Sequence, residues 1–265
     1  MSAVRFDGRV AAITGGGGGM GRAFALDLAA RGARIAVCGR RPEPIAETVA
    51  AIEKAGGEAI AVQCDVRDPG QVDAWLDQCV ERFGAPDLLV NNAAGNFICP
   101  AIELSPNGWN AVINIVLNGS FYASRAFAQR YRDAGHTRGS VVSVIATYAW
   151  TGNAGTAHSA AAKAGVMNLM MTLAVEWASL GIRCNSVAPG PIETPGATAH
   201  LFPTEEIRKQ ITDRIPARRF GQLEDVVNAT RFLLSDESSY VTGSCITLDG
   251  GGWLPQGMFA LGHRA

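Results

Sequence analysis

One lysine, Lys163, stands alone in the alanine-rich run AAAKAG. Such a run favours a helix, and on a helix the residue four places back shares a face. That residue is Ser159. A hydroxyl and an ammonium one turn apart can hold a ligand oxygen and deliver a proton to it. No tyrosine takes the serine's place; the nearest, Tyr148, lies fifteen positions before the lysine. Few structural needs explain a lysine among alanines, so Lys163 is the leading catalytic candidate. His158 precedes Ser159 but points about 100° away on a helix, which assigns it a structural or rim role. His136, His200 and His263 show no ligand spacing, and no metal site is expected.

A second cluster suits a phosphate-bearing ligand. Thr14 is followed by five glycines, Gly15 to Gly19, then Met20 and Gly21. Glycine accepts positive φ and lets a phosphate approach the backbone. A helix starting there offers free N–H groups and the positive end of its dipole. Gly15, Gly19, Met20 and Gly21 are therefore read as nucleotide-binding. The next apolar run ends in Gly39, Arg40 and Arg41, with no acid. An acid there would bind a ribose 2′-hydroxyl, whereas a guanidinium suits a 2′-phosphate. The expected cofactor is NADP(H), gripped through Arg40. Asp65, in QCDVRD, can take the adenine amino group with Val66 packing the ring. The same acidic segment, ending at Asp68-Pro69, also suits a helix N-cap.

These groups need a scaffold that gathers them. Short apolar runs at Val10–Thr14, Ile35–Cys38, Ile60–Cys64, Leu88–Val90, Ser140–Val144, Arg183–Val187 and Cys245–Leu248 read as strands. Helical patterns separate them: Met20–Arg31, Glu43–Ala55, Gly70–Phe83, a long helix Trp109–Arg132, another Ala157–Leu180, then Glu205–Arg214 and Leu223–Leu234. The alternation predicts an α/β fold, a single doubly wound Rossmann-type domain with a parallel seven-stranded sheet and helices on both faces. Ligands in such folds bind beyond the carboxyl ends of the strands. The candidate residues all follow strands at that edge. No linker divides residues 1–265, and the Pro- and Gly-punctuated segment 190–220 reads as an excursion that shapes a substrate mouth.

Bulk properties narrow the field. Of 265 residues, 48% are hydrophobic, enough for one large core, and the net charge of -1 with no Lys/Arg run argues against nucleic acid as the main partner. No stretch has the apolar length of a membrane helix. The N-terminus has no signal-like apolar region and the C-terminus no peroxisomal address. Six scattered cysteines without CxxC spacing read as reduced thiols. A cytoplasmic protein is expected.

The motifs TGGGGGMG, NNAAG, the Lys163 helix and PGPIET resemble the short-chain dehydrogenase/reductase family over nearly the whole chain. The resemblance implies that Asn91, Ala93 and Gly95 line the cofactor wall. It implies that Pro189, Gly190, Ile192 and Thr194 hold the nicotinamide carboxamide, and that Lys163 bonds the nicotinamide ribose. The commonest form of the family carries tyrosine and serine where this chain has Ser159 and Ala146. Its assisting asparagine aligns with Val116, with Asn114 and Asn118 nearby but shifted. One branch shares the departure. NNAAGNF, ELSPNGW, INIVLNGSF, Tyr148, Ser159 and AKAG together resemble the 2,4-dienoyl-CoA reductases of the mitochondrial type, from about residue 8 to residue 252. In that branch the residues matching Tyr148 and Asn96 bind the substrate thioester oxygen, and those matching Ser159 and Lys163 complete the site.

That resemblance implies NADPH-dependent reduction of 2,4-dienoyl-CoA to 3-enoyl-CoA in unsaturated fatty acid β-oxidation. Hydride addition at C5 places negative charge on the distant thioester oxygen, and donors must wait there. A tyrosine moved off the lysine helix and paired with Asn96 suits that geometry. Arg208, Lys209, Arg214, Arg218 and Arg219 either meet CoA phosphates or form a solvated basic face. A carbonyl or alcohol oxidoreductase of the same family, a 2-enoyl-CoA reductase and a non-catalytic NADP-binding sensor or scaffold are the competing functions. A homotetramer built on the two long helices is expected by resemblance.

Overall fold

Strands buried on both faces are largely apolar, and two runs show it. Val10–Thr14 (β1) and Gly139–Val144 (β5) are buried end to end. In the computed structural model, which describes residues 4–194 and 204–254, they sit inside one seven-stranded sheet. The other strands are Arg34–Gly39 (β2), Ala59–Gln63 (β3), Leu88–Asn91 (β4), Ile182–Pro189 (β6) and Cys245–Leu248 (β7). All neighbours pair in parallel, in the order β3-β2-β1-β4-β5-β6-β7. Strands β3 and β7 are the edges, and there the burial weakens.

Each face of the sheet has its own core. On one, Phe24, Leu28 and Ile45 from helices Gly19–Ala30 (α1) and Pro42–Lys54 (α2) join Ile13, Ile35 and Val90. On the other, Trp75 from Pro69–Phe83 (α3) packs with Phe127 and Met170 against Leu89 and Val141. Proline at the first helical position and acceptor side chains start several helices. Asp68 caps α3, accepting from Gly70 and Gln71, so the capping role foreseen for the acidic segment falls to it.

The long helix expected over Trp109–Arg132 is divided. Pro106–Ile113 (α4) runs into a π-helical turn, Asn114–Asn118, and then Gly119–Asp133 (α5). Close packing accompanies the break: a Cβ on Gly119 would stand 2.8 Å from Val66 Cγ2. A one-turn helix absent from the sequence reading, Tyr148–Thr151 (α6), follows β5. Helix Ala157–Glu176 (α7) stops short of Leu180 because a 3-10 turn and left-handed Gly181 redirect the chain into β6. Helices Glu205–Arg214 (α8) and Leu223–Leu234 (α9) start and stop where the sequence placed them. The ends of the 190–220 excursion meet, since Ile192 bridges to Gly221. Residues 195–203 within it lie outside the described residues.

Candidate active site

The strand order reverses between β1 and β4, so their carboxyl ends frame a crevice. Thr14, the last residue of β1, holds the crevice together. Its Oγ1 accepts from the backbone N–H of Asn92 and of Ala93, both at 3.0 Å. Asn92 Nδ2 donates in return to Thr14 O at 3.2 Å and Gly15 O at 3.1 Å. Neither contact was foreseen; the doubled asparagine after β4 was the available signal.

The glycine turn is obligatory here. Gly15 has φ +67, and a Cβ on Gly21 would lie 2.2 Å from Gly15 O. Helix α1 begins with no side-chain cap, which leaves its first N–H groups to a ligand. A cavity of ≈ 880 Å³ opens over this turn. Gly15, Gly19, Arg40, Asp65, Val66, Ala93 and Thr194 line it, as do Arg41 and Asn92. Met20 and Gly21 stand behind it in α1, with Met20 packed on the core. Asn91 differs from the expectation. It is buried and does not line the cavity, and its amide donates to Ser124 Oγ at 2.8 Å and Ser143 Oγ at 3.1 Å. Gly95, Pro189, Gly190 and Ile192 do not line the cavity either. Gly190 N–H donates to Leu248 O at 3.0 Å, and Ile192 is held in the bridge to Gly221.

The Arg40 and Arg41 side chains are exposed at the rim, and the Arg40 charge acts on the nearby Asp65 carboxyl. Asp65 is bound by Arg67 at 2.5 Å, which holds its carboxyl below the usual range. The residues fit a dinucleotide. Glycine gives a pyrophosphate its approach, α1 supplies N–H groups, and the exposed Arg40 stands at the cavity rim.

Beyond β5 the catalytic candidates converge. Tyr148 opens α6 and its hydroxyl lies 3.2 Å from Ser159 Oγ. Ser159 is buried on α7, one turn before Lys163. Lys163 Nζ donates to Val144 O at 2.6 Å, tying α7 to the end of β5. Burial pushes the Lys163 ammonium down to about 8. Asn96 is exposed on the loop after β4, and its side chain has no hydrogen-bond partner among the described residues. Val116 is buried in the π turn, while Asn118 Nδ2 donates to Asn114 Oδ1 at 2.8 Å. His158 is wholly buried, a structural position and not a rim one. Of the cations proposed for CoA phosphates, four have carboxylate partners here and Arg214 is engaged as well. Arg208 pairs with Glu193 at 2.5 Å, Lys209 with Asp213 at 2.7 Å, Arg219 with Asp225 at 2.9 Å, and Arg218 lies 3.7 Å from Asp213. These pairs favour the solvated face over a phosphate site.

A doubly wound sheet, a glycine turn at its switch point and a serine–lysine pair on one helix define a nicotinamide-dependent oxidoreductase. Comparison with known proteins agrees. The family model described as Enoyl-(Acyl carrier protein) reductase matches residues 15–252. The chain belongs to the short-chain dehydrogenase/reductase family. A Bacillus subtilis protein named "Probable 2,4-dienoyl-CoA reductase", of the (2E)-enoyl-CoA-producing kind, is 48% identical over 91% of this chain and 95% of its own. The zebrafish (Danio rerio) peroxisomal 2,4-dienoyl-CoA reductase, (3E)-enoyl-CoA-producing, is 37% identical over 93% of this chain and 82% of its own. A gluconate 5-dehydrogenase from Burkholderia cenocepacia, solved with NADP and tartrate, is 32% identical. It superposes with a TM-score of 0.88 over 94% of this chain and 96% of its own.

Proposed function

We propose that this protein reduces 2,4-dienoyl-CoA thioesters to 3-enoyl-CoA with NADPH, in the oxidation of unsaturated fatty acids. The observation that carries the reading is the position of Tyr148. It sits off the lysine helix, on its own turn, with its hydroxyl against Ser159. The two relatives named as 2,4-dienoyl-CoA reductases support it. NADPH, when bound, supplies the hydride that the substrate accepts at C5. Lys163 would hold the nicotinamide ribose, and Arg40 would meet the 2′-phosphate. With Ser159 as donor in its 3.2 Å contact to the Tyr148 oxygen, the Tyr148 O–H would be free to donate to the thioester oxygen. Asn96 offers its amide to the same oxygen, and the two donors stabilise the dienolate charge there. Water protonates C2, which leaves the double bond at C3.

The second reading concerns the product. The Bacillus subtilis relative is named as giving the (2E)-enoyl-CoA, which requires the proton at C4. Turnover of 2,4-hexadienoyl-CoA in deuterated water, read by NMR, separates the two by the position of the label. The class of reaction is tested by following NADPH oxidation with 2,4-hexadienoyl-CoA, 2-hexenoyl-CoA, ketones and β-ketoacyl thioesters. Preference for the dienoyl thioester is expected; turnover of only the others refutes the reading.

We also propose a homotetramer. Phe121 on α5 and Met171 and Val175 on α7 are exposed apolar side chains on the two helices, at 42%, 40% and 81%. Solution mass tests this. The six free cysteines suit the cytoplasm.

A further inference from the structure

The reaction above leaves His158 unused. It is fully buried, and neither Nδ1 nor Nε2 has a hydrogen-bond partner among the described residues. Burying ring nitrogens unpaired lowers stability, and a leucine would fill the space without that loss. Positions that give up stability concentrate where function demands a particular group.

What His158 does touch is Phe97. The ring centroids are 4.4 Å apart with 84° between the planes, an edge-to-face pair. Phe97 directly follows Asn96. Its ring tip sits over Gly108, where a Cβ would come 3.2 Å from Phe97 Cζ. Ile98 in turn lies over Gly155, where a Cβ would come 2.9 Å from Ile98 Cγ2. Cys99 N–H donates to Gly155 O at 2.9 Å. Residues 97–99 therefore touch the turn that opens α7 and the start of α4, with Phe97 43% and Ile98 67% exposed. Asn96 is the first residue outside these contacts. With no hydrogen bond of its own, its amide takes its direction from the backbone that Phe97 anchors.

We infer that His158 is a positioning residue: its ring locks Phe97 and, through it, aims the Asn96 amide at the thioester oxygen. The inference rests on the reading of Asn96 as a donor to that oxygen. A side chain that only fills the core affects folding. One that aims a donor affects the transition state.

The test uses the full chain, NADPH and 2,4-hexadienoyl-CoA, with His158→Leu, His158→Phe, Asn96→Ala and the double variant Asn96→Ala/His158→Leu. His158→Leu is expected to melt at or above the wild-type temperature while kcat falls about two- to tenfold, the range one aromatic pair carries. KM and the NADPH Kd stay within about twofold. His158→Phe restores the ring and brings kcat back. In the Asn96→Ala background, His158→Leu has no further effect, because both act on one interaction. The same loss in both backgrounds overturns the inference. So does an unchanged kcat, or a loss matched by a lower melting temperature. Full activity of Asn96→Ala alone refutes the role of Asn96 without any change at His158, so the two failures are distinct.

Discussion

Lys163 is a buried cation whose burial can be read as a pH-dependent instability. Its ammonium titrates at about 8 in the folded chain against 10.5 when free. Between these values the unfolded chain holds a proton that the folded chain has lost, so stability rises with pH by about 1.4 kcal/mol per unit. The penalty is fully present below pH 8 and absent above 10.5, a span worth about 3 kcal/mol. Lys163→Met removes the titration but keeps the length of the side chain. It also removes the donor to Val144 O, a change that is the same at every pH. The informative quantity is therefore the stability of wild type minus that of Lys163→Met, from urea unfolding of the cofactor-free protein at pH 7 and pH 10. Groups common to both proteins cancel in the difference. It should move in favour of wild type by about 2–3 kcal/mol between the two pH values. A difference that stays flat within about 0.5 kcal/mol refutes the assignment of a buried, charged Lys163. Activity should fall on the order of 100-fold or more in the same variant.

Tyr148→Phe removes one donor to the thioester oxygen. It should lower kcat on 2,4-hexadienoyl-CoA by about 3–4 kcal/mol in barrier terms, with NADPH affinity unchanged by fluorescence titration. Arg40→Ala should weaken NADPH binding far more than NADH binding, and equal losses for both would remove the 2′-phosphate assignment. Gly21→Ala drives a methyl to 2.2 Å from Gly15 O, so calorimetry should show the cofactor no longer bound at micromolar concentrations. Trp253 meets Trp150 edge-on at 5.6 Å, beside Tyr148 on α6. Trp253→Ala should lower kcat about two- to tenfold while leaving the NADPH Kd in place.

The parallel sheet was legible because strands buried on both faces are largely apolar, as VAAIT of β1 is; β5 buries two serines as well, both hydrogen-bonded. The glycine turn was legible because Gly15 and Gly21 answer to close backbone approach, which no other residue type meets. Lys163 stood out by its alanine neighbours. Other features left no such mark. The π turn at Asn114–Asn118 lies inside a continuous helical pattern, and the extra residue per turn changes no residue type. Helix α6 is four residues long, too short for a periodicity to register. Asn91 was assigned to the wall from the family motif, but it sits one pleat inward, where its amide links Ser124 to Ser143. The basic residues of 208–219 looked available for phosphate. Asp213 was in view at helical spacing from Lys209, but the pairings of Arg219 with Asp225 and of Arg208 with Glu193 needed the folded excursion.

The separation of Tyr148 from α7 has a consequence for how such a site can change. When proton donor and ribose-binding lysine share one helix, their spacing is fixed by the helical repeat, and shifting either disturbs both. Here the tyrosine rides a four-residue turn joined to α7 by the segment 152–156, with its hydroxyl against Ser159 and Trp150 packed on Trp253. On the proposed roles, a change in that segment would bear on the oxygen end of the site while Lys163 stays on α7. The proposed oxygen-end donor and the proposed cofactor lysine thus sit on separate elements, α6 and α7, which one helical repeat does not tie together.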